Sequence, residues 1–339
     1  MIDLIKNQTF TTKRFKEFKG YLKDQDERKS EQVVQFKDWK FTEEGLKIKK
    51  KEYPMRDSAM KTLLSTFGMP SKFYYTKSPT DMLIRDINRM KREYTEDSEM
   101  LVYFQDDEVR AVSKPSVRHA TSHRQILDNS ILGDVSFKMG SYNDYGMRMT
   151  TADDSKQVKV TKDDIMNVGS DLIYSDTGSH PTTGSPFLLR LVCTNGLVVK
   201  EKSPFLNSFS MSFGQKFTED TFLETLNHNV SSIDIDTKIL GKTFKAMRDQ
   251  PINSLQYGES HMKKLRSAIG ISKFDEHEKL SVKILDDEHE GRMINTELPL
   301  YSALDITTRM AKKYDSLTRR RIESLAGSLV VMSERELLH

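Results

Sequence analysis

Between residue 100 and about residue 174 apolar side chains recur at every second position, the period of an extended chain whose successive residues point to opposite faces. A chain with this stretch at its centre has to build a sheet. Residues 100–104 and 109–112 flank the acidic turn Asp106-Asp107-Glu108 and read as a hairpin. Further strands are expected at 133–139, 145–150, 157–160 and 167–174, separated by polar turns rich in Gly, Asn and Asp.

On either side the period lengthens to that of a helix. Phe15, Phe18 and Leu22 share one helical face inside a basic opening, residues 1–51, which holds fourteen Lys or Arg against nine Asp or Glu. That helix reads as docking its Phe side on the core, and residues 33–48 read as two short strands. Ala59, Met60, Leu63, Leu64 and Phe67 form the next helical face, capped by Asp57 or Ser58 and stopped by Gly68 and Pro70. Another helix starts near Ser78-Pro79-Thr80 and turns Met82, Leu83, Ile87 and Met90 inward. Residues 184–196 are a nearly continuous apolar run closed by Asn195-Gly196. We read this run as a buried helix from about Ser185, with Gly196 as its left-handed cap and 197–199 passing into or out of the sheet. Beyond 215 helices are expected at 219–230, 234–248, 260–269 and 300–331, the last with Arg319-Arg320-Arg321 across its apolar face. The expected fold class is α+β: a central antiparallel sheet with packed helices and a mainly helical C-terminal part. The expected divisions are a basic segment over 1–55, a core domain over 56–215 and a helical region over 216–339.

Charge and motifs narrow the chemistry. Fifty-three Lys and Arg against fifty Asp and Glu give a formal charge of +3, so a nucleic-acid footprint has to be a local patch. The mean hydropathy is -0.60, and no stretch approaches the ~20 apolar residues of a bilayer helix. No signal-peptide pattern opens the chain. A soluble cytoplasmic protein is expected, without a membrane partner. Cys193 is the single cysteine, which excludes an intrachain disulfide and a Cys-rich zinc site; its apolar surroundings suit a packed thiol. There is no phosphate loop, dinucleotide fingerprint or Gly-x-Ser-x-Gly elbow, so no cofactor and no catalytic residue are nominated.

His119 and His123 have the spacing of two ligands on one helical face, but Arg118 and Arg124 beside them repel a cation. No metal is expected there. Lys114, Arg118, His119, His123 and Arg124 read instead as an anion-facing loop. The run Asp286-Asp287-Glu288-His289-Glu290 lacks calcium-loop spacing and reads as a solvated acidic loop. Asp153-Asp154 and Asp163-Asp164 read as turn residues.

Three stretches carry a resemblance. They are Ala59-Met-Lys-Thr-Leu-Leu-Ser-Thr-Phe-Gly-Met-Pro70, Val109-Arg-Ala-Val-Ser113, and Pro186-Phe-Leu-Leu-Arg-Leu-Val-Cys-Thr-Asn-Gly-Leu197 preceded by Asp176-Thr-Gly178. Together they resemble the phage- and plasmid-borne DUF nine-three-two family, over roughly residues 51–202. The resemblance implies a phage or mobile-element setting, with DNA metabolism or host takeover as its theme. It brings no catalytic residues with it.

Two readings follow. In the first, Arg110, Lys114, Arg118, Arg124, Lys156, Lys159, Arg190 and Lys200 converge into one trough across the sheet. There they would hold the backbone of single-stranded DNA for recombination or annealing, without nucleotide hydrolysis. The order of sheet and helix is similar to annealing proteins of the Rad-fifty-two kind by fold analogy, and a homo-oligomer goes with it. In the second, the chain is a non-enzymatic interaction or counter-defence factor that binds a host or phage protein, its seventeen Met supplying an adaptable surface.

Overall fold

A computed structural model describes residues 8–337 except 71–72, 75–77, 96, 115–120, 130–135, 163, 191–195, 199–206, 212–217, 234, 252–263, 265–281, 284–292, 295–298, 313 and 315. The chain begins with β1 (Gln8–Thr11), α1 (Phe15–Glu27) and β2 (Lys29–Gln35), followed by the short strands β3 (Trp39–Phe41), β4 (Leu46–Ile48) and β5 (Lys51–Tyr53). Helices α2 (Asp57–Thr66) and α3 (Thr80–Lys91) lead into β6 (Glu99–Gln105) and β7 (Glu108–Ser113). After α4 (His123–Asn129) come the long strands β8 (Ser136–Asn143), β9 (Gly146–Lys159), β10 (Ile165–Tyr174) and β11 (Thr182–Arg190), then β12 (Gly196–Val198) and β13 (Phe209–Met211). The remainder holds α5 (Glu219–Ser231), α6 (Thr237–Met247), the small pair β14 (Val282–Lys283) and β15 (Met293–Ile294), α7 (Leu300–Ala311) and α8 (Ser316–Leu337).

The fold is α+β, and every pairing within its sheets is antiparallel. The largest sheet has seven strands in the order β1-β8-β9-β10-β11-β12, with β13 beside β11. A second sheet, β2-β6-β7, carries the expected hairpin. Asp106 and Asp107 both take positive φ, 52° and 63°, the left-handed pair whose twist matches the flanking strands. The helix over 57–66 forms on the expected face. Gly68 closes it at φ 66°, but its cap position is Arg56, without a side-chain cap bond. Ser58 instead donates its hydroxyl to the Arg110 carbonyl and docks α2 on β7.

Three expectations change. The apolar run from 184 is strand β11 and not a helix. It pairs along its length with β10 and is buried through Leu188, and such a strand has no need of alternation. Its other edge is shared between β13 (at 182–184) and β12 (at 187–189). Pro186, which lacks an N–H, falls in the gap between them. Gly196 opens β12 and is not a helix cap; a Cβ there would lie 2.5 Å from the Phe187 ring. The strands expected at 145–150 and 157–160 are one strand, β9, interrupted by a bulge at 154–156 that includes Asp154. The helix expected over 300–331 is two helices, α7 and α8. Of the helix expected over 260–269 only Lys264 is described, and the acidic run 286–290, His119 and Cys193 lie outside the described residues.

Packing explains the layers. Val158, Val168, Leu188 and Leu197 from the large sheet share a core with Leu240, Phe244, Leu304, Ile322 and Leu329 from α6, α7 and α8. A second core places Phe18 and Leu22 of α1 and Leu226 of α5 against Tyr142, Met149 and Leu172. A third joins α2 and α3 to the β2-β6-β7 sheet and to Trp39. α8 is further anchored by charge. Asp171 on β10 accepts from Arg148 (2.5 Å) and Arg320 (2.5 Å), and Glu323 accepts from Arg148 (2.6 Å) and Arg319 (2.8 Å). Arg319 and Arg320 therefore turn toward the sheet, where the sequence alone leaves them lying across the helix.

The close approach of β9 and β10 gives a first prediction. A Cβ on Gly169 would lie 2.0 Å from the Thr151 carbonyl oxygen, whereas Gly20 in α1 has nothing within 4 Å. Gly169→Ala is expected to destabilise by about 2–3 kcal/mol or more. Gly20→Ala is expected to stabilise by roughly 0.5–1 kcal/mol. Urea unfolding midpoints of the two variants check this.

Candidate nucleic-acid interface

The eight cations singled out in the sequence do not share one trough. Arg110, in the middle of β7, is 1 % exposed. It donates to Asp176 at 2.6 Å and to the Tyr142 hydroxyl at 3.1 Å. Arg190 donates to both oxygens of Asp164, at 2.7 and 2.6 Å, and also to Asp305. Arg124 pairs with Asp128 one helical turn away, at 3.1 Å. Lys114 is exposed at the end of β7, and Lys156 and Lys159 are exposed on the outer half of β9. Arg118 and Lys200 lie outside the described residues. Residues 146–155 of β9 separate Tyr145, which lines a cleft with Lys114, from Lys156, roughly 30 Å along the strand. Residues of one charge pattern are thus distributed over a buried cluster, an ion pair at the sheet end, and two separate surfaces.

The buried cluster is a charge-balanced lock. Lys29 reaches Asp26 at 2.5 Å, His123 Nδ1 at 2.8 Å and Asp176 at 3.1 Å, so α1, β2 and α4 meet on one ammonium, and Arg110 of β7 shares the Asp176 carboxylate. Burial alone would raise the Asp176 carboxyl, but Arg110 and Lys29 outweigh it and hold it well below the usual range. Burial, reinforced by Lys29, pushes the His123 imidazole down. His123 is therefore an enclosed neutral ring and not part of an anion-facing loop. Among the described residues no group of three or more His, Cys, Asp or Glu is placed to hold a metal ion.

Because His123 takes up a proton less readily folded than unfolded, stability is lost as pH falls below about 6.5, where the unfolded imidazole charges. His180, lowered mainly by burial, acts with the same sign. Asp26, Asp171 and Asp176, all held low when folded, add a second loss below about pH 4. His123→Gln is expected to flatten the dependence between pH 7 and 5, which urea midpoints across that range will read.

The fold sets α6 against the end of β9, and each of these elements carries exposed lysines. In α6, Leu240, Phe244 and Met247 face the core, so Lys238, Lys242 and Lys245, at i, i+4 and i+7, share the opposite, exposed face. Asp236 caps the helix by accepting from the amides of Lys238 and Ile239. Gly241 faces the end of β9, where a Cβ would make an ordinary contact of 3.6 Å with the Lys159 carbonyl oxygen. Lys156, Lys159 and Lys162 are exposed on that end and on the turn beyond it.

No protein-family model, no curated protein and no solved structure matches this chain.

The local carboxylates are already engaged. Asp153 accepts from Ser155, Asp154 from Lys138 and Asn167, Asp164 from Arg190 and Tyr301, and Asp236 caps its helix. Among the described residues none of the six lysines forms a salt bridge. The lysine period of α6 is a signal the sequence reading missed; the contact of α6 with the end of β9 left no mark in the sequence. No described helix is long and apolar enough to cross a membrane.

Proposed function

We propose that the chain binds single-stranded nucleic acid through its phosphate backbone, on the lysines of α6 and of the adjoining β9 end, as a recombination or annealing factor of a phage or mobile element. One observation carries this reading: six exposed lysines on two packed elements, without salt bridges among the described residues, beside carboxylates that are already hydrogen-bonded. Ammonium groups on flexible stems act on phosphate as point charges and leave base edges free to pair. Annealing needs no nucleotide hydrolysis, which agrees with a sequence lacking a phosphate loop.

Fluorescence anisotropy with a labelled single strand tests it across a salt series. Six phosphate contacts correspond to a slope of log K against log salt of about −4. Absence of binding at ~50 mM salt, or a flat salt response, removes the proposal. Capture of a stoichiometric protein partner that survives nuclease treatment, without strand binding, favours the protein-interaction reading instead.

A further inference from the structure

We infer that a cavity beside the buried charge lock binds a small, uncharged carboxamide. The cavity has a volume of about 170 Å³ and lies between β2, the β6–β7 hairpin and the start of α4. That is several times the roughly 30 Å³ of a water in the liquid, and less than the ~300 Å³ at which sites for drug-sized ligands begin. A nucleotide is too large for it, and a single small ring is not. Its wall holds Tyr103, Arg110 and Asp176, each more than nine-tenths buried. Arg110 reaches the wall as the extra residue of a bulge in β7, because the register passes from Tyr103–Ala111 to Phe104–Val109 and skips it.

The ion pair between Arg110 and Asp176 is incomplete. Arg110 Nη2 at 2.6 Å and Lys29 at 3.1 Å both bond the same oxygen, Asp176 Oδ2. Arg110 Nη1 donates to the Tyr142 hydroxyl. The Arg110 Nε–H and Asp176 Oδ1 are buried and have no hydrogen-bond partner among the described residues. His123 Nε2 lies 3.7 Å from Oδ1, too far to supply one. The Tyr103 hydroxyl has Ser113 near it but makes no well-formed bond. A buried donor or acceptor in this state costs free energy until a partner meets it. The wall therefore presents one donor, one acceptor and one hydroxyl. Its charges are already matched, Asp26 and Asp176 against Lys29 and Arg110, with the exposed Glu31 at the mouth. An ion would enter unmatched and lose its hydration. A carboxamide carries an acceptor and a donor on one carbon and no charge. Its oxygen accepts from Arg110 Nε and the Tyr103 hydroxyl, and its N–H donates to Asp176 Oδ1. The rim is fixed beforehand: Ser122 and Gln125 cap α4 reciprocally at 2.7 and 3.1 Å, and Tyr174 donates to the Thr121 carbonyl at 2.5 Å.

Isothermal titration calorimetry on the full chain decides it, with benzamide, benzoate and benzamidine as probes, three molecules of one shape that differ in charge. Benzamide is expected to bind, and the anion and the cation to bind about tenfold more weakly or less. Asp176→Asn also takes the partner from Lys29 and Arg110 and is expected to destabilise the fold, so the deciding variant is Tyr103→Phe. It removes one hydroxyl, is expected to leave the urea midpoint unchanged, and should weaken benzamide about two- to tenfold. No benzamide heat at millimolar concentration, an ion that binds as tightly as benzamide, or an unchanged affinity in Tyr103→Phe overturns the inference. The cavity shares no residue with the lysine surface, so a Lys238→Ala, Lys242→Ala, Lys245→Ala chain is expected to keep benzamide binding. Loss of benzamide in that variant also overturns it.

Discussion

Replacing Lys238, Lys242 and Lys245 together by Glu is expected to lower the affinity for single-stranded DNA about a thousandfold at low salt. Each charged contact to phosphate contributes on the order of a factor of ten, and reversal adds repulsion from the strand. The salt slope should become shallower by about two units, because three of six counterion-releasing contacts are gone. All three side chains are exposed, so folding should change by less than about 0.5 kcal/mol per site. The matching control is Arg85→Glu with Arg89→Glu and Arg92→Glu, exposed on α3 and at its end, which makes the same change of charge on another element. Equal losses in both variants would mean that the strand responds only to total charge. Anisotropy at several salt concentrations distinguishes these outcomes, with urea unfolding as the check on folding.

Asp171→Ala is expected to have the largest effect on stability. Asp171 is fully buried and is shared by Arg148 and Arg320. Burial by itself would raise its carboxyl, yet the two guanidiniums hold it below the usual range. Removing it takes the carboxylate from Arg320 and leaves the almost fully buried Arg148 to Glu323. Breaking a buried pair from one side costs about 3–5 kcal/mol. Asp24→Ala removes an exposed pair with Arg28 and is expected to cost less than about 1 kcal/mol. The urea midpoint should fall for Asp171→Ala with the slope unchanged. A loss under about 1 kcal/mol would show that the network is not what holds α8 to the sheet.

These two predictions rest on different degrees of legibility. The hairpin around Asp106-Asp107 and the helix ending at Gly68 were readable because each is decided by local chemistry, a left-handed turn pair and an apolar face with a stop. The lysine face of α6 was missed, although a period of about 3.6 is visible in the letters of the helix that was expected there. β11 was misread because a continuous apolar run is ambiguous until its neighbours are known, and both of its flanks are supplied by other strands. The destinations of Arg110, Arg190, Arg319 and Arg320 were unreadable for a related reason. Asp176 lies 66 positions from Arg110, and Asp171 lies 149 from Arg320. Charge, unlike hydrophobic period, carries no local mark of whether its partner is water or an aspartate across the fold. Half of the proposed trough consisted of such residues or of residues outside the described ones.

The shared carboxylates beneath α8 also impose an order in time. Synthesis runs from the amino end, so the strands bearing Arg148 and Asp171 emerge well before residues 316–337 exist. Until then these two charges have only each other and solvent, and the apolar face under Ile322 and Leu329 lies open. A nascent chain at that stage exposes the apolar surface that draws chaperones and proteases to unfinished domains, and the arrival of α8 covers it.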